Sequence, residues 1–224
     1  MEKKKRGVGH IMTQQEEIWQ GKFGKDYTDR NLKARERSDW FNKNGMKRIN
    51  LNNDFLKTIR KDSKILEVGC NVGNQLKLLK DMGYSDIWGI EIQGDAVERA
   101  KKHTSNINII NASAFDIPFK NKYFDLVFTS GVLIHISPND IEKVLDEIYR
   151  CSKKYIWGYE YFIPVGYEMI KWHGKKDMLW KTDFAKLFLD RFPDLKVVKR
   201  KIIDCEEDNN QDIMYLLKKE GQDY

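Results

Sequence analysis

The sequence predicts an α/β fold on a seven-stranded, mostly parallel sheet, and three observations carry that prediction. From Ser63 onward, short apolar runs alternate with amphipathic stretches, the pattern of a parallel sheet covered by helices. The last two apolar runs are separated only by Asp204 to Gln211, too short for a crossover helix, so they should close the sheet as a C-terminal antiparallel hairpin. Residues 12 to 62 carry helical periodicity but precede the first strand, which makes them an appendage placed to act as a helical lid.

The expected strands run, in order, over Lys64 to Val68, Ile87 to Ile92, Ile107 to Asn111, Phe124 to Thr129, Tyr155 to Tyr161, Leu195 to Ile203 and Asp212 to Lys218. Helical patterns fall between the first five at Asn74 to Met82, Asp95 to His103 and Asn139 to Lys153. The last follows Pro138, with Asn139 and Asp140 as a start signal. Ser113 to Phe119 is too short and irregular for a full helix. An aromatic-rich insertion, residues 162–181, precedes a further helix at Thr182 to Arg191. The domain organisation expected is therefore 1–62 as the appendage and 63–224 as the core, with 162–181 shaping an acceptor pocket.

At 224 residues, with 41% hydrophobic and 33% charged residues, the chain has apolar material for one core under a solvated surface. Its longest apolar stretch, Leu126 to Ile136, falls far short of the ~20 residues of a membrane span. Met1 to Arg6 is basic but leads into no apolar centre of a secretory signal, so a cytoplasmic protein is expected, with Met12 a candidate start. Cys70, Cys151 and Cys205 are odd in number and lack metal-ligand spacing, which supports neither a metal site nor a disulfide framework. The net charge of +6 favours anionic small-molecule partners; the lysines are scattered rather than clustered, and nucleic-acid binding is not indicated.

The sharpest local signal is Ile65-Leu66-Glu67-Val68-Gly69-Cys70-Asn71-Val72-Gly73-Asn74, an apolar strand ending in a glycine loop that opens a helix. Gly69 and Gly73 let the backbone turn tightly and approach a ligand, which makes the sheet Rossmann-like. Glu91, 22 residues beyond Gly69, ends the next strand, where a carboxylate can accept both hydroxyls of a ribose. A dinucleotide fingerprint would have glycine where this loop has Asn71, so a pyrophosphate has no seat. Glu67 suits a cationic group better than a phosphate.

With Asp116-Ile117-Pro118-Phe119 and Phe124-Asp125-Leu126-Val127, these motifs resemble class I S-adenosylmethionine-dependent methyltransferases over Ser63 to about Leu217. The resemblance implies S-adenosylmethionine as cofactor. It implies Glu91 at the ribose with Ile92 beside it, and Ser113, Ala114 and Phe115 around the adenine; the family often has an acidic residue in the place of Ser113. Glu67 would then face the amino group of the methionine moiety, within the loop of Gly69, Asn71 and Gly73. Ser130 and Gly131, leaving the fourth strand at the carboxyl edge of the sheet, would run beside the methionyl part.

A narrower resemblance is to the methylases associated with pseudaminic acid biosynthesis. It rests on Trp19-x-Gly21-x-Phe23-Gly24-x-x-Tyr27-x-x-Arg30-Asn31, Ser113-Ala114-Phe115-Asp116 and Gly131-Val132-Leu133-Ile134-His135-Ile136, and implies a sugar-pathway setting. Trp19, Phe23 and Tyr27 repeat every four residues and line one helix face, either as core packing or as a wall over the cofactor. Arg30 either pairs bidentately with a carboxylate of cofactor or substrate or stays solvated.

Methyl transfer mainly asks for positioning and exclusion of water, to which a general base is added when the acceptor must lose a proton. His135, Glu160 and His173 are the candidates, and the sequence does not rank them. His135 is alternatively structural, and Tyr167, Trp172 and His173 either wall an acceptor pocket or pack as a surface loop. Two competing readings are a methyltransferase acting on protein or nucleic acid and a non-catalytic module that binds the same cofactor. Thr129-Ser130-Gly131-Val132, standing where amino methylases carry an Asn-Pro-Pro-Tyr-like segment, counts against the first.

Overall fold

The computed structural model describes residues 12–36, 48–174, 176–204 and 210–221. Its main sheet takes all seven expected strands: β1 (Lys64–Val68), β2 (Asp86–Glu91), β3 (Asn108–Asn111), β4 (Phe124–Ser130), β5 (Ser152–Phe162), β8 (Leu195–Asp204) and β9 (Gln211–Lys219). Their spatial order is β3-β2-β1-β4-β5-β9-β8. The first five run parallel, while β9 is antiparallel to both β5 and β8, as the short Asp204 to Gln211 connection requires. The strand order reverses between β1 and β4, and at such a switch point an open α/β sheet leaves a crevice beyond its carboxyl ends.

Period-two alternation sends neighbouring side chains to opposite faces, so both faces of the sheet are packed. Leu66 and Val68 of β1 join Ile213, Tyr215 and Leu217 of β9 in one core, and Ile65 joins Met214 and Leu216 in the other. Helices α4 (Asn74–Asp81), α5 (Gly94–His103), α6 (Ile141–Cys151) and α7 (Phe184–Arg191) cover these faces. Side chains cap two of them: Gln93 accepts from Ala96 N at 2.7 Å, and Asp183 accepts from Lys186 N at 3.0 Å.

Three boundaries differ from expectation. Helix α6 stops at Cys151, because Ser152 and Lys153 already extend β5 beside β4. The insertion holds a two-stranded ribbon of its own, β6 (Glu168–Met169) and β7 (Trp180–Lys181), too short to leave an alternating pattern. The N-terminal helix breaks at Gly21 into α1 (Gln14–Gln20) and α2 (Lys22–Glu36), and a further helix, α3, is described over residues 48–56. Cys205 lies outside the described residues.

No helix among the described residues is long and apolar enough to cross a membrane. Strand β8 forms one edge of the sheet, with Val197, Val198 and Ile202 exposed among Lys196, Lys199, Arg200 and Lys201.

At Gly158 of β5 an added Cβ would come within 2.2 Å of the Tyr215 ring of β9, so the close lie of these buried strands rests on that missing carbon. Gly158→Ala should cost about 1 to 3 kcal/mol through overpacking, lowering Tm by roughly 3 to 10 °C for a chain of this size. An unchanged Tm would mean that Tyr215 does not pack over β5 in this way.

Candidate functional site

The β1–α4 loop is shaped by two residues in the left-handed region that only glycine adopts without strain, Gly69 at φ 74° and Gly73 at φ 77°. Gly69 N and Cys70 N both donate to the Ile90 carbonyl, at 2.8 and 3.0 Å, and Asn71 N donates to Glu91 Oε2 at 2.9 Å. Glu91 Oε1 takes the Gln93 N–H at 2.9 Å. Each carboxylate oxygen has a second lone pair to offer. Burial pushes the Glu91 carboxyl above its ordinary range, opposed by these backbone donors.

A cavity opens at this switch point, and it gathers most of the predicted cofactor residues. Glu67, Gly69, Asn71, Glu91, Ile92, Ser113, Ala114, Phe115, Ser130 and Tyr27 all line it. Gly73 does not; it sits behind the loop as N-cap of α4 and faces Thr104. Arg30 does not either: it is exposed on α2, 5.6 Å from the Tyr27 ring. Glu67 is buried, and its Oε2 has no hydrogen-bond partner among the described residues.

The three candidate bases are separated by the structure. His135 lines the cavity between Trp19 and Trp172, with ring centroids 4.7 Å from each. Its Nδ1 lies 2.7 Å from the Met178 carbonyl, which can only accept, so Nδ1 carries the proton and Nε2 the lone pair. Burial pulls its pKa down to about 4, leaving the ring neutral at physiological pH.

The other two candidate bases, Glu160 and His173, do not line the cavity. Glu160 is fully buried beneath the 131–135 turn, its carboxylate accepting from Val132 N at 3.0 Å and Ile134 N at 3.4 Å, where it holds that turn in place. His173 is exposed, at φ 47°, packed edge-on against Trp172 and outside the cavity wall.

Two charged residues at the site went unremarked in the sequence. Glu16 of α1 completes a capping box with Thr13, is buried, lines the cavity and accepts the Ser113 hydroxyl. The Thr13-x-x-Glu16 pattern signals the cap, but not the contact 97 residues away. Arg48 of α3 donates from Nη2 to Ser130 Oγ at 2.9 Å and sits 3.7 Å over the Tyr159 ring. An arginine opening a short amphipathic helix carries no sequence signal for either contact.

Comparison with known proteins points the same way. Residues 66–155 match the methyltransferase domain family. Among curated relatives, sterol methyltransferase-like 3 of Botryococcus braunii is 30% identical over 104 residues, 44% of this chain and 26% of the relative. The uncharacterized protein MJ1252 of Methanocaldococcus jannaschii is 32% identical over 130 residues, 58% of this chain and 47% of that one. The chain thus spans about half or less of the length of these relatives. The Burkholderia thailandensis 1,6-didemethyltoxoflavin-N1-methyltransferase, solved with 1,6-didemethyltoxoflavin and S-adenosylhomocysteine, aligns at TM-score 0.66 over 95% of this chain and 93% of its own. At 11% identity that likeness is one of fold.

Burial lifts the Glu160 carboxyl to about 7, against about 4.3 for an unfolded chain. The folded chain then holds a proton that the unfolded chain has released, so this group's stabilising contribution is full at acid pH and is lost as pH rises through 7. Thermal melts of wild type and Glu160→Gln should show the wild-type Tm falling relative to the variant between about pH 5 and 8; parallel curves would refute the buried assignment.

Proposed function

We propose that this class I S-adenosylmethionine-dependent methyltransferase domain passes its methyl group to an anionic small molecule, a sugar or nucleotide-sugar of a nonulosonic acid pathway. The observation that carries the small-molecule reading is the wall over the cavity: Glu16, Trp19, Tyr27 and Thr28 of the N-terminal helices line it together with the carboxyl ends of the strands. The sugar setting is supported by the motif resemblance in residues 19–31, 113–116 and 131–136, and the anionic character by the net charge of +6. A cytoplasmic setting belongs to the same proposal, supported by Cys70 and Cys151 standing as buried free thiols.

The residues present fit the cofactor. Glu67 offers a buried acceptor for an ammonium group, Glu91 offers lone pairs for two ribose hydroxyls, and Gly69 lets the loop lie so close to Val132 that an added Cβ would meet Cγ2 at 2.6 Å. Glu16, held against Ser113, supplies beside the proposed adenine site the acidic group that the family often carries in the chain position of Ser113. Bound there, the cofactor's sulfonium supplies a methyl already activated for transfer.

The protein's own task is then positioning and dehydration, which contribute about 7 to 11 kcal/mol when the reacting groups are well aligned. Trp19, Tyr27 and His135 bring packed rings to the cavity wall, which exclude water there. His135 Nε2 accepts a hydrogen bond from the acceptor and orients it; with a pKa of about 4 it stays available across the neutral range. The helices α1 and α2 act as the lid over this assembly.

Calorimetric titration with S-adenosylhomocysteine should show Glu91→Ala binding about ten- to a hundredfold more weakly, the equivalent of ~1.5 to 3 kcal/mol for hydrogen bonds to a charged group. Unchanged affinity would remove the ribose assignment. Amides from Trp19 to Asn31 should gain hydrogen-exchange protection in the same complex, and equal exchange with and without ligand would refute the lid.

A further inference from the structure

Arg48 is a half-buried cation beside the point where the sheet reverses its strand order, with its Nε shielded from solvent. Its guanidinium donates to Ser130 Oγ at 2.9 Å and lies over the Tyr159 ring, while its Nε has no partner among the described residues. The charges that face it come from each strand around it: Glu67 on β1, Tyr159 and Glu160 on β5, and Asp212 on β9. Burial disfavours its charge and these neighbours support it. An ion shielded from solvent is costly to maintain, and this one is not needed to satisfy any carboxylate, since it forms no ion pair within 4.0 Å among the described residues.

Arg48 does not line the cavity, but Ser130 and Glu67 do. A guanidinium has only donors, so Ser130 Oγ accepts from it and keeps its own proton to donate elsewhere. A hydroxyl committed in this way suits an anionic oxygen. Glu67 is the complement: burial, with the nearby Glu91 charge adding to it, pushes its carboxyl well above the ordinary range, and the Arg48 charge acts in the opposite direction. The Glu67 Oε2, without a partner among the described residues, suits an ammonium. An anionic oxygen and an ammonium on one ligand make the α-amino-acid group.

We propose that Arg48 is a positioning residue for the α-amino-acid end of the ligand, fixing Ser130 as donor to its carboxylate and Glu67 as acceptor for its ammonium. The proposal rests on the cofactor reading above, whose methionyl end is such a group, and it ties recognition of that end to a helix outside the alternating unit.

The test titrates the full chain with S-adenosylhomocysteine and with 5′-methylthioadenosine, which keeps the adenosine and the sulfur and lacks the amino-acid end. Arg48→Met should weaken the first by about ten- to a hundredfold, the range for lost hydrogen bonds to charged groups, and the second by less than about threefold. Arg48→Lys should recover part of the loss. Ser130→Ala, which removes one hydroxyl and leaves the cation in place, should show the same selectivity at smaller size and decides the matter if Arg48→Met does not fold. If the variants weaken both ligands equally, or leave S-adenosylhomocysteine untouched, the proposal is overturned while the cofactor reading stands. If the wild type binds neither ligand, the cofactor reading fails and takes the proposal with it.

Discussion

The end of β2 holds the loop after β1, and the site depends on that hold. The Ile90 carbonyl gathers two consecutive N–H groups of the loop, and the Glu91 side chain takes a third. Without these bonds Asn71 would have no reason to sit at φ 46°, a conformation that costs a non-glycine residue energy. Glu91 therefore has two uses, bracing the loop from one lone pair of its Oε2 and facing the cavity with what is left. The parallel register that sets Val68 beside Ile90 makes the arrangement possible, since it brings both strand ends to the same level.

The seven strands were legible because each is an apolar run between turn signals, and the reversed hairpin because its connection is too short for anything else. The glycine loop and Glu91 were legible because their spacing is local to one β-α-β unit. Contacts across the fold were not. Glu16 meets Ser113 and Arg48 meets Ser130 only once the N-terminal helices lie against the core, and neither partner differs in sequence from an ordinary surface residue. The surroundings of Glu160 were hidden for a related reason: it lies near the end of β5, but the turn after β4 passes over it and its carboxylate serves backbone donors. The ribbon of β6 and β7 was hidden by having two residues a side.

The appendage is bound to the core by polar contacts as well as rings. Arg99 of α5 pairs with Asp29 of α2 at 2.6 Å, Asn71 Nδ2 reaches Thr28 Oγ1 at 3.5 Å, and Trp19 packs against His135 and Trp172. The Arg99 pair is partly exposed and contributes little to stability, but it fixes the placement of α2. The rings supply the apolar contact; the polar groups give it a direction.

Among the described residues, strand β8 has no neighbouring strand on its outer side, and the side chains along it bear on how this protein behaves in a crowded solution. Bare backbone donors and acceptors beside exposed Val197, Val198 and Ile202 form a template onto which the strand of another molecule could add. The same strand carries Lys196, Lys199 and Arg200, paired with Glu220, Asp54 and Asp183 respectively, and Lys201. A strand adding at this edge would have to displace those long paired side chains, which blunts the edge. Salt screens exposed ion pairs of this kind, so that protection weakens as ionic strength rises.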